Sequence, residues 1–134
     1  MTTAAPDGVE VLRAWLLPFD GIPTGEKKPV GTGPYRMITT LPGKDDKVTE
    51  FGFYRVHMFN SDFTACKTAA YLGHNRILEL GPPLHGQQRV TISGGRIVFA
   101  DNVETDDTPH WEFYSDTMER FVSEYHIDFR HIAV

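Results

Sequence analysis

The hydrophobic positions between Glu50 and Leu80 predict a strand followed directly by a helix. Residues 51–59 are mostly aromatic or β-branched and contain few breakers, which favours a strand in the middle of a sheet, covered on both faces. Asp62 offers the side-chain oxygen that a helix N-cap needs. Small or apolar residues then recur at helical spacing, namely Cys66, Ala69, Ala70, Gly73, Ile77 and Leu80. Because most of them are small, we expect this helix to pack closely on the sheet.

A shorter helix is predicted near the start of the chain. Asp7 can cap it, and Glu10 stands three residues later, as in a capping box. Its apolar face consists of Val9, Val11, Leu12, Trp15 and Leu16. We expect Pro18 to end this helix near Leu17, because proline cannot continue the hydrogen-bond ladder.

The second half of the chain predicts strands joined by tight turns. Residues 88–93 alternate before Gly94-Gly95, a strong hairpin signal, and residues 96–103 are expected to return as the partner strand. Residues 104–108 are predicted to form a polar turn. The aromatic residues 109–114 admit two interpretations, a piece of the core or an apolar docking patch. Residues 121–130 alternate cleanly, so one face of this last strand is polar and is either exposed or completed by another subunit.

These elements predict the fold class. They follow one another as helix, strand, strand, helix and about three further strands. Neighbouring strands can join by hairpins, so we expect an α+β fold in which a mostly antiparallel sheet carries two helices on one face. The length of 134 residues and the lack of internal repeats predict a single domain spanning residues 1–134.

A long irregular segment lies between the first helix and a short strand predicted at residues 35–41. Residues 21–34 are rich in glycine and proline. A domain of this size seldom keeps such a segment unless it contacts something, so we interpret it as an extended arm that binds a partner or bridges subunits. Plain disorder at the surface is the alternative. The first interpretation makes Gly21, Thr24, Lys27 and Lys28 candidate contact residues.

Composition and charge restrict the classes of partner. The chain is 40% hydrophobic and 23% charged, which is typical of globular proteins, and it has no apolar run long enough to span a bilayer. Its net charge of −5 argues against a surface built to hold DNA or RNA. The first residues lack the features of a secretory signal and Cys66 is the only cysteine, so we expect a reducing compartment such as a cytoplasm.

The sequence does not fit the motifs of common catalytic sites. Residues 31–33 are followed by Pro34 rather than by a helix with a lysine, so a phosphate-binding loop is not predicted. The histidines show no paired ligand spacing, and we predict no catalytic, cofactor or metal site. His126, Asp128 and Glu124 share one strand face and could form a small acid–base cluster. A solvated pattern of cross-strand charges is the alternative interpretation.

Four stretches of the chain carry information about its family. They are the opening helix Val9 to Leu16 followed by Pro18, the strand Tyr54 to Phe59 running into Ala65, Ala69 and Ala70, the aromatic segment Pro109 to Tyr114, and the closing strand Phe121 to Arg130. In their order along the chain and in their residue types, they resemble the tail terminator proteins of long-tailed (siphovirus-type) bacteriophages, especially those that infect actinobacteria.

The resemblance implies a structural protein of the phage neck and no enzyme activity. Members of that family form a homohexameric ring on the completed tail tube, stop its polymerisation and join the tail to the head connector. The implied partners are other copies of the chain, the tail tube protein and the connector or stopper protein, without a membrane. The implied location is the virion, after assembly in the host cytoplasm. Genomic DNA would pass through the lumen without specific binding, which suits a negative net charge.

The resemblance also directs attention to particular residues. A ring needs heterologous contacts, in which one face of a subunit meets a different face of the next. The arm and the polar side of the last strand are two such faces, and the strand supplies Arg120, Glu124, His126, Asp128 and Arg130. Candidate acids for the lumen, all predicted to lie in turns, are Asp45, Asp46, Glu104, Asp106 and Asp107.

Two other functions stay open at this point. Another neck component, a head–tail stopper or adaptor, is similar in size and also forms rings. A small cytoplasmic enzyme would use His126 with Asp128 or Glu124 for acid–base chemistry.

Overall fold

The structure is a computed structural model of the chain, and it describes residues 3–4, 6–27, 31–45, 49–130 and 132–133. These residues include the helices α1 (Gly8–Asp20) and α2 (Phe63–Leu78). The strands in chain order are β1 (Thr3–Ala4), β2 (Thr24–Gly25), β3 (Tyr35–Asp45), β4 (Thr49–Asn60), β5 (Val90–Thr91), β6 (Ile97–Val98), β7 (Ala100–Trp111), β8 (Glu119–Arg130) and β9 (Ile132–Ala133).

The main sheet has the strand order β2-β3-β4-β8-β7. Its long strands all pair antiparallel, and the short β2 adds a parallel pairing at one edge. Strands β1 and β9 form a separate antiparallel pair, as do β5 and β6. The expected α+β class with a mostly antiparallel sheet is therefore confirmed, and the strand predicted at residues 51–59 lies within β4, at the centre of the sheet.

Both helices contact the same face of this sheet. Helix α2 lies over β4, β7 and β8, while α1 packs beside it, next to β2, β3 and β5. The core between them contains Leu12 and Leu16 of α1, Val56 of β4, and Tyr125 and Ile127 of β8, all of them buried. Since side chains alternate along a strand, the opposite face of β4 and β8 carries the intervening residues.

The local signals for α2 are confirmed. The Asp62 carboxylate accepts a hydrogen bond from the Ala65 N–H at 2.8 Å. Cys66, Gly73 and Ile77 are buried, as the small-residue pattern predicts. A Cβ atom on Gly73 would lie 3.1 Å from a guanidinium nitrogen of Arg36, so the small residue permits the close approach of helix and sheet.

Helix α1 begins as predicted and ends later than predicted. The Asp7 carboxylate accepts from the Val9 N–H at 3.0 Å, which confirms the cap. The predicted end near Leu17 is wrong, because the helix continues through Pro18 to Asp20. Gly21 then adopts a left-handed conformation with φ of 70° and donates its N–H to the Leu17 carbonyl at 2.8 Å. This cap closes the last turn, which proline alone does not break.

The polar turn predicted at residues 104–108 is also wrong. These residues lie inside β7, an edge strand of the main sheet. Its pairing with β8 shifts register between Thr105 and Asp107 and again between Asp107 and His110. Irregular pairing and acidic side chains are features by which natural sheets protect an edge, so a polar run here is compatible with a strand.

The hairpin at Gly94-Gly95 is confirmed but is shorter than expected. Val90 pairs with Val98 and Thr91 with Ile97. The chain then leaves this pair and enters the main sheet at Ala100, so residues 96–103 are divided between two sheets. The strand predicted at residues 121–130 is confirmed as most of β8, which lies between β4 and β7.

In the described part of the chain, neither helix is long and apolar enough to cross a membrane.

Candidate functional site

The face of the main sheet opposite the helices carries most of the polar residues singled out above, and we call it the open face. Cross-strand pairing places Phe53 beside His126, Arg55 beside Glu124, and His57 beside Val122. Asp107 of β7 pairs with Glu124 and Glu104 with His126, so these acids continue the same rows. The open face is thus a mixed surface, on which charged and polar residues of β4, β8 and β7 stand beside apolar ones such as Phe53 and Val122.

The pair Arg55 and Glu124 occupies the middle of the open face. Arg55 Nε donates to Glu124 Oε1 at 2.9 Å. The two residues lie directly opposite each other on β4 and β8, and both side chains are partly exposed. An ion pair of this kind stabilises the fold by less than about 1 kcal/mol, so it fixes the orientation of the charges more than it holds the sheet.

His57 lies next to that pair and is 5% exposed. Its Nε2 is 3.3 Å from the Thr39 hydroxyl. Burial, together with the positive charges of Arg120 and Arg55, lowers the pKa of His57 to about 4. The imidazole is therefore neutral at neutral pH and contributes no charge to the open face.

His126 lies between two carboxylates. Its Nε2 is 2.7 Å from Asp128 Oδ1, and its Nδ1 is 3.6 Å from Glu104 Oε2. The ring stacks on Phe53 with centroids 4.7 Å apart. Burial raises the pKa of the Asp128 carboxyl, and the adjacent His126 acts in the opposite direction. An imidazole held between two carboxylates has the parts needed to take up and pass on a proton.

The predicted acid–base cluster is thus partly assembled. Asp128 and His126 are in contact, whereas Glu124 is engaged by Arg55. Glu104 takes the place of Glu124, and sequence analysis missed it because the register of β7 against β8 decides which side chain faces His126. Residues two apart on a strand share a face from the sequence alone, but a neighbour on another strand does not.

A second polar cluster lies towards the other end of β7 and β8. His110 Nε2 is 2.8 Å from Glu112 Oε2, and its Nδ1 is 3.0 Å from the Thr108 carbonyl. The contact with Thr108, with a further contribution from Glu112, raises the pKa of His110. Arg120 donates to the Phe113 carbonyl at 2.9 Å and so ties the end of this cluster to the following loop.

The candidate arm is partly integrated into the fold. Gly21 is the C-cap of α1. Thr24 is only 6% exposed, donates its hydroxyl to the Ile22 carbonyl at 3.0 Å, and accepts at its own carbonyl from Arg13 Nε. Its side chain therefore offers little surface to a partner, which corrects its assignment as a contact residue. Lys27 is exposed, and Lys28 lies outside the described residues.

The candidate lumen acids occupy different surroundings from those predicted. Glu104, Asp106 and Asp107 are exposed, but they lie along the edge strand β7 and not in a turn. Asp45 is the last residue of β3, and Asp46 lies outside the described residues. The candidate contact Arg130 is exposed at the end of β8 and donates to Asp101 at 2.7 Å.

Arg36 is a polar residue that sequence analysis missed. It is 1% exposed and donates to Asp20 Oδ2 at 2.7 Å. A second guanidinium nitrogen is 3.4 Å from the Thr24 hydroxyl. The available signal was a basic residue inside a predicted strand, at a position that alternation assigns to the core side together with Ile38.

Among the described residues, no group of three or more histidine, cysteine, aspartate or glutamate side chains is arranged to hold a metal ion. The sequence matches no protein-family model and no curated protein.

Proposed function

We propose that this chain is a tail terminator of a long-tailed bacteriophage, a structural protein that closes into a hexameric ring on the completed tail tube. The ring would stop addition of tube subunits and offer a docking surface to the head connector. The proposal begins from the resemblance of the four stretches described above.

The observation that supports it best is the open face. Long strands present a broad surface on which charges of both signs are already held in place, as Arg55 and Glu124 are at 2.9 Å. Fixed charges of both signs favour one orientation of a protein partner over others. A broad surface with apolar residues such as Phe53 among its charges suits stacking on a tube or a connector, because protein interfaces combine an apolar centre with a polar rim.

The acids of β7 support the same proposal. Asp101, Glu104, Asp106 and Asp107 belong to one edge strand, with Arg130 engaged by Asp101 at its end. A row of carboxylates repels phosphate, so a lumen lined by this edge would let DNA pass without holding it.

The decisive experiment is a tube-capping assay with the tail tube protein of the same phage. Added during tube polymerisation, the chain should bind one end of each tube and stop growth, as seen in electron micrographs. In the infected host, loss of the chain should give overlong tails that are not attached to heads. Tails of normal length would exclude the assignment, and binding to the connector without binding to tubes would favour a stopper or adaptor.

The contact between His126 and Asp128 favours a second candidate function, a small acid–base enzyme. In that case His126→Ala should abolish turnover of a substrate while the thermal unfolding curve stays unchanged. A lower melting temperature of His126→Ala, with no substrate turned over by the wild type, would instead assign the pair a structural role.

A further inference from the structure

A group of exposed aromatic side chains lies along α2 from Phe63 to Tyr71 and around the end of β7. We call it the aromatic patch, and it consists of Phe63, Tyr71, Trp111 and Phe113, which are between 41% and 62% exposed. Of the two interpretations of residues 109–114, the core thus holds for the buried Pro109, whereas Trp111 and Phe113 face outward.

Phe63 and Trp111 share a neighbour on β8, whereas Tyr71 and Phe113 join the aromatic patch through β7 and the residues that directly follow it. The ring of Phe63 is 5.3 Å from that of Phe121, and Trp111 pairs with Phe121 across the sheet. Tyr71 donates its hydroxyl to the Pro109 carbonyl at 3.1 Å. Trp111 donates its indole N–H to Glu119 at 2.6 Å, so its orientation is set before any partner arrives.

A second exposed apolar group lies in the loop that follows α2. We call residues 82–88 the Leu84 loop. Leu84 is 66% exposed, more than any other large hydrophobic residue in the described part of the chain. Backbone hydrogen bonds hold the loop at both ends, from the Val103 N–H to the Pro82 carbonyl at 2.7 Å and from the Gln88 N–H to the Leu80 carbonyl at 3.2 Å. Leu84 is therefore presented on a fixed loop.

These two surfaces lie at opposite ends of the same elements. The aromatic patch includes the first residue of α2 and the Leu84 loop follows its last turn, and a helix of 16 residues is about 24 Å long. Likewise the loop is bonded to Val103 near the start of β7, while Trp111 is the last residue of that strand. Because the loop is bonded at both ends, it cannot reach Phe63 and Trp111 of its own chain across this distance.

We propose that the Leu84 loop of one copy docks on the aromatic patch of the next copy. The inference rests on the proposed function, because it names the contact that would close the ring. A contact between unlike surfaces at opposite ends of a subunit is heterologous, and repeated contacts of this kind form a ring or a filament.

The chemistry of the two surfaces favours another copy of this chain as the occupant. Four half-exposed aromatic residues offer roughly 400 Å² of mostly apolar surface, about half of what one partner contributes to a standard interface. Asp62 and Glu119 add negative charge at the patch and Lys67 adds one positive charge. The exposed Arg89 directly follows the Leu84 loop. When the loop docks, this basic residue would lie near Asp62 and Glu119 of the next copy.

Substitutions at the two surfaces test the contact. Leu84→Asp removes the apolar group of the loop, and Phe113→Asp places a charge in the patch. Native mass should be measured by sedimentation velocity over a wide range of concentration. The wild type should assemble, and each variant should need roughly thirtyfold more protein to do so, as expected for a central interface residue. Leu41→Asp is the matched control, since Leu41 is 43% exposed but belongs to β3, away from both surfaces.

A mixture of the two variants gives the sharpest result. The intact loop of Phe113→Asp can bind the intact patch of Leu84→Asp, but the surfaces left over are both defective. The mixture should therefore form dimers and stop there. Cooperative thermal unfolding shows whether Phe113→Asp is folded. If it is not, Phe113→Ser is used in its place.

Three outcomes would overturn the contact: a wild type that stays monomeric at every concentration, variants that assemble as the wild type does, or a mixture that stays monomeric. None of them decides the proposed function, which the tube-capping assay tests separately. Conversely, dimers in the mixture together with failure to cap tubes would keep this contact and exclude the terminator.

Discussion

The guanidinium of Arg36 and the carboxylate of Asp20 lie 2.7 Å apart and join the end of α1 to the inner side of β3. Arg36 is almost fully buried, whereas the Asp20 side chain is 20% exposed. Burying a cation is costly unless it is paired and hydrogen-bonded, so the Asp20 carboxylate and the Thr24 hydroxyl make this position of Arg36 possible.

Asp20→Ala should consequently destabilise the fold more than the loss of an ordinary surface carboxylate. We expect the free energy of unfolding to fall by about 1.5–3 kcal/mol, because the substitution leaves a buried charge without its anion. Chemical denaturation with a circular dichroism readout measures this change. Asp106→Ala is the control, since Asp106 is exposed on β7 and its loss should change stability by at most about 0.5 kcal/mol. Equal effects of the two substitutions would contradict this assignment of the ion pair.

The elements with strong local signals were predictable from the sequence. Helix α2 carries its own cap at Asp62 and a helical stripe of small residues, and burial along β8 alternates from Ser123 to Arg130. The end of α1 was predicted wrongly because the left-handed cap at Gly21 outweighs the missing N–H of Pro18. The strand β7 was missed because its acids resemble a turn, while pairing with β8 keeps it extended.

The candidate site was less predictable, because part of it depends on how neighbouring strands pair. Alternation alone places His126 and Asp128 on one face, and the structure brings them into contact. The partners that come from other strands, Glu104 for His126 and Arg55 for Glu124, depend on register. Register is set by the whole sheet, so no pattern within one strand could reveal these pairs.

Gly8 is expected to tolerate no larger side chain. A Cβ atom built on Gly8 would overlap the hydroxyl end of Tyr54, which is itself buried. Alanine normally favours a helix over glycine, but overpacking of this kind costs about 1–3 kcal/mol and should dominate. Gly8→Ala should therefore lower the melting temperature. Gly33→Ala is the matched control, because a Cβ there meets nothing within 4 Å, and a loss of stability as large as that of Gly8→Ala would argue against overpacking as the cause.

The segment 21–34 should separate into a part that supports the fold and a part that is free to contact a partner. Deleting all of it removes the cap at Gly21 and the buried Thr24, so we expect loss of cooperative unfolding, contrary to what an arm outside the core would give. Lys27→Glu should leave the melting temperature unchanged, because Lys27 is exposed, and should weaken assembly if the arm is a contact. A deletion variant that melts like the wild type would show that residues 21–25 add little to the core.

His57 should make the stability of the fold depend on pH in the mildly acidic range. In the folded chain its pKa is lowered from 6.5 to about 4 by burial and by nearby arginines. Between these two values the unfolded chain binds a proton that the folded chain does not, so the free energy of unfolding falls as the pH falls from about 6.5 to about 4. Above 6.5 His57 is neutral in both states and causes no loss.

This contribution can be isolated by comparing the wild type with His57→Gln at each pH. The stability of the wild type relative to the variant should be constant above pH 6.5 and should decrease by up to about 3 kcal/mol as the pH approaches 4. His110→Gln provides a control of opposite sign. The pKa of His110 is raised, so its contribution to stability is present at low pH and is lost as the pH rises through its folded value. A wild type and a His57→Gln variant with parallel pH profiles would mean that His57 is protonated as readily in the folded chain as in the unfolded one.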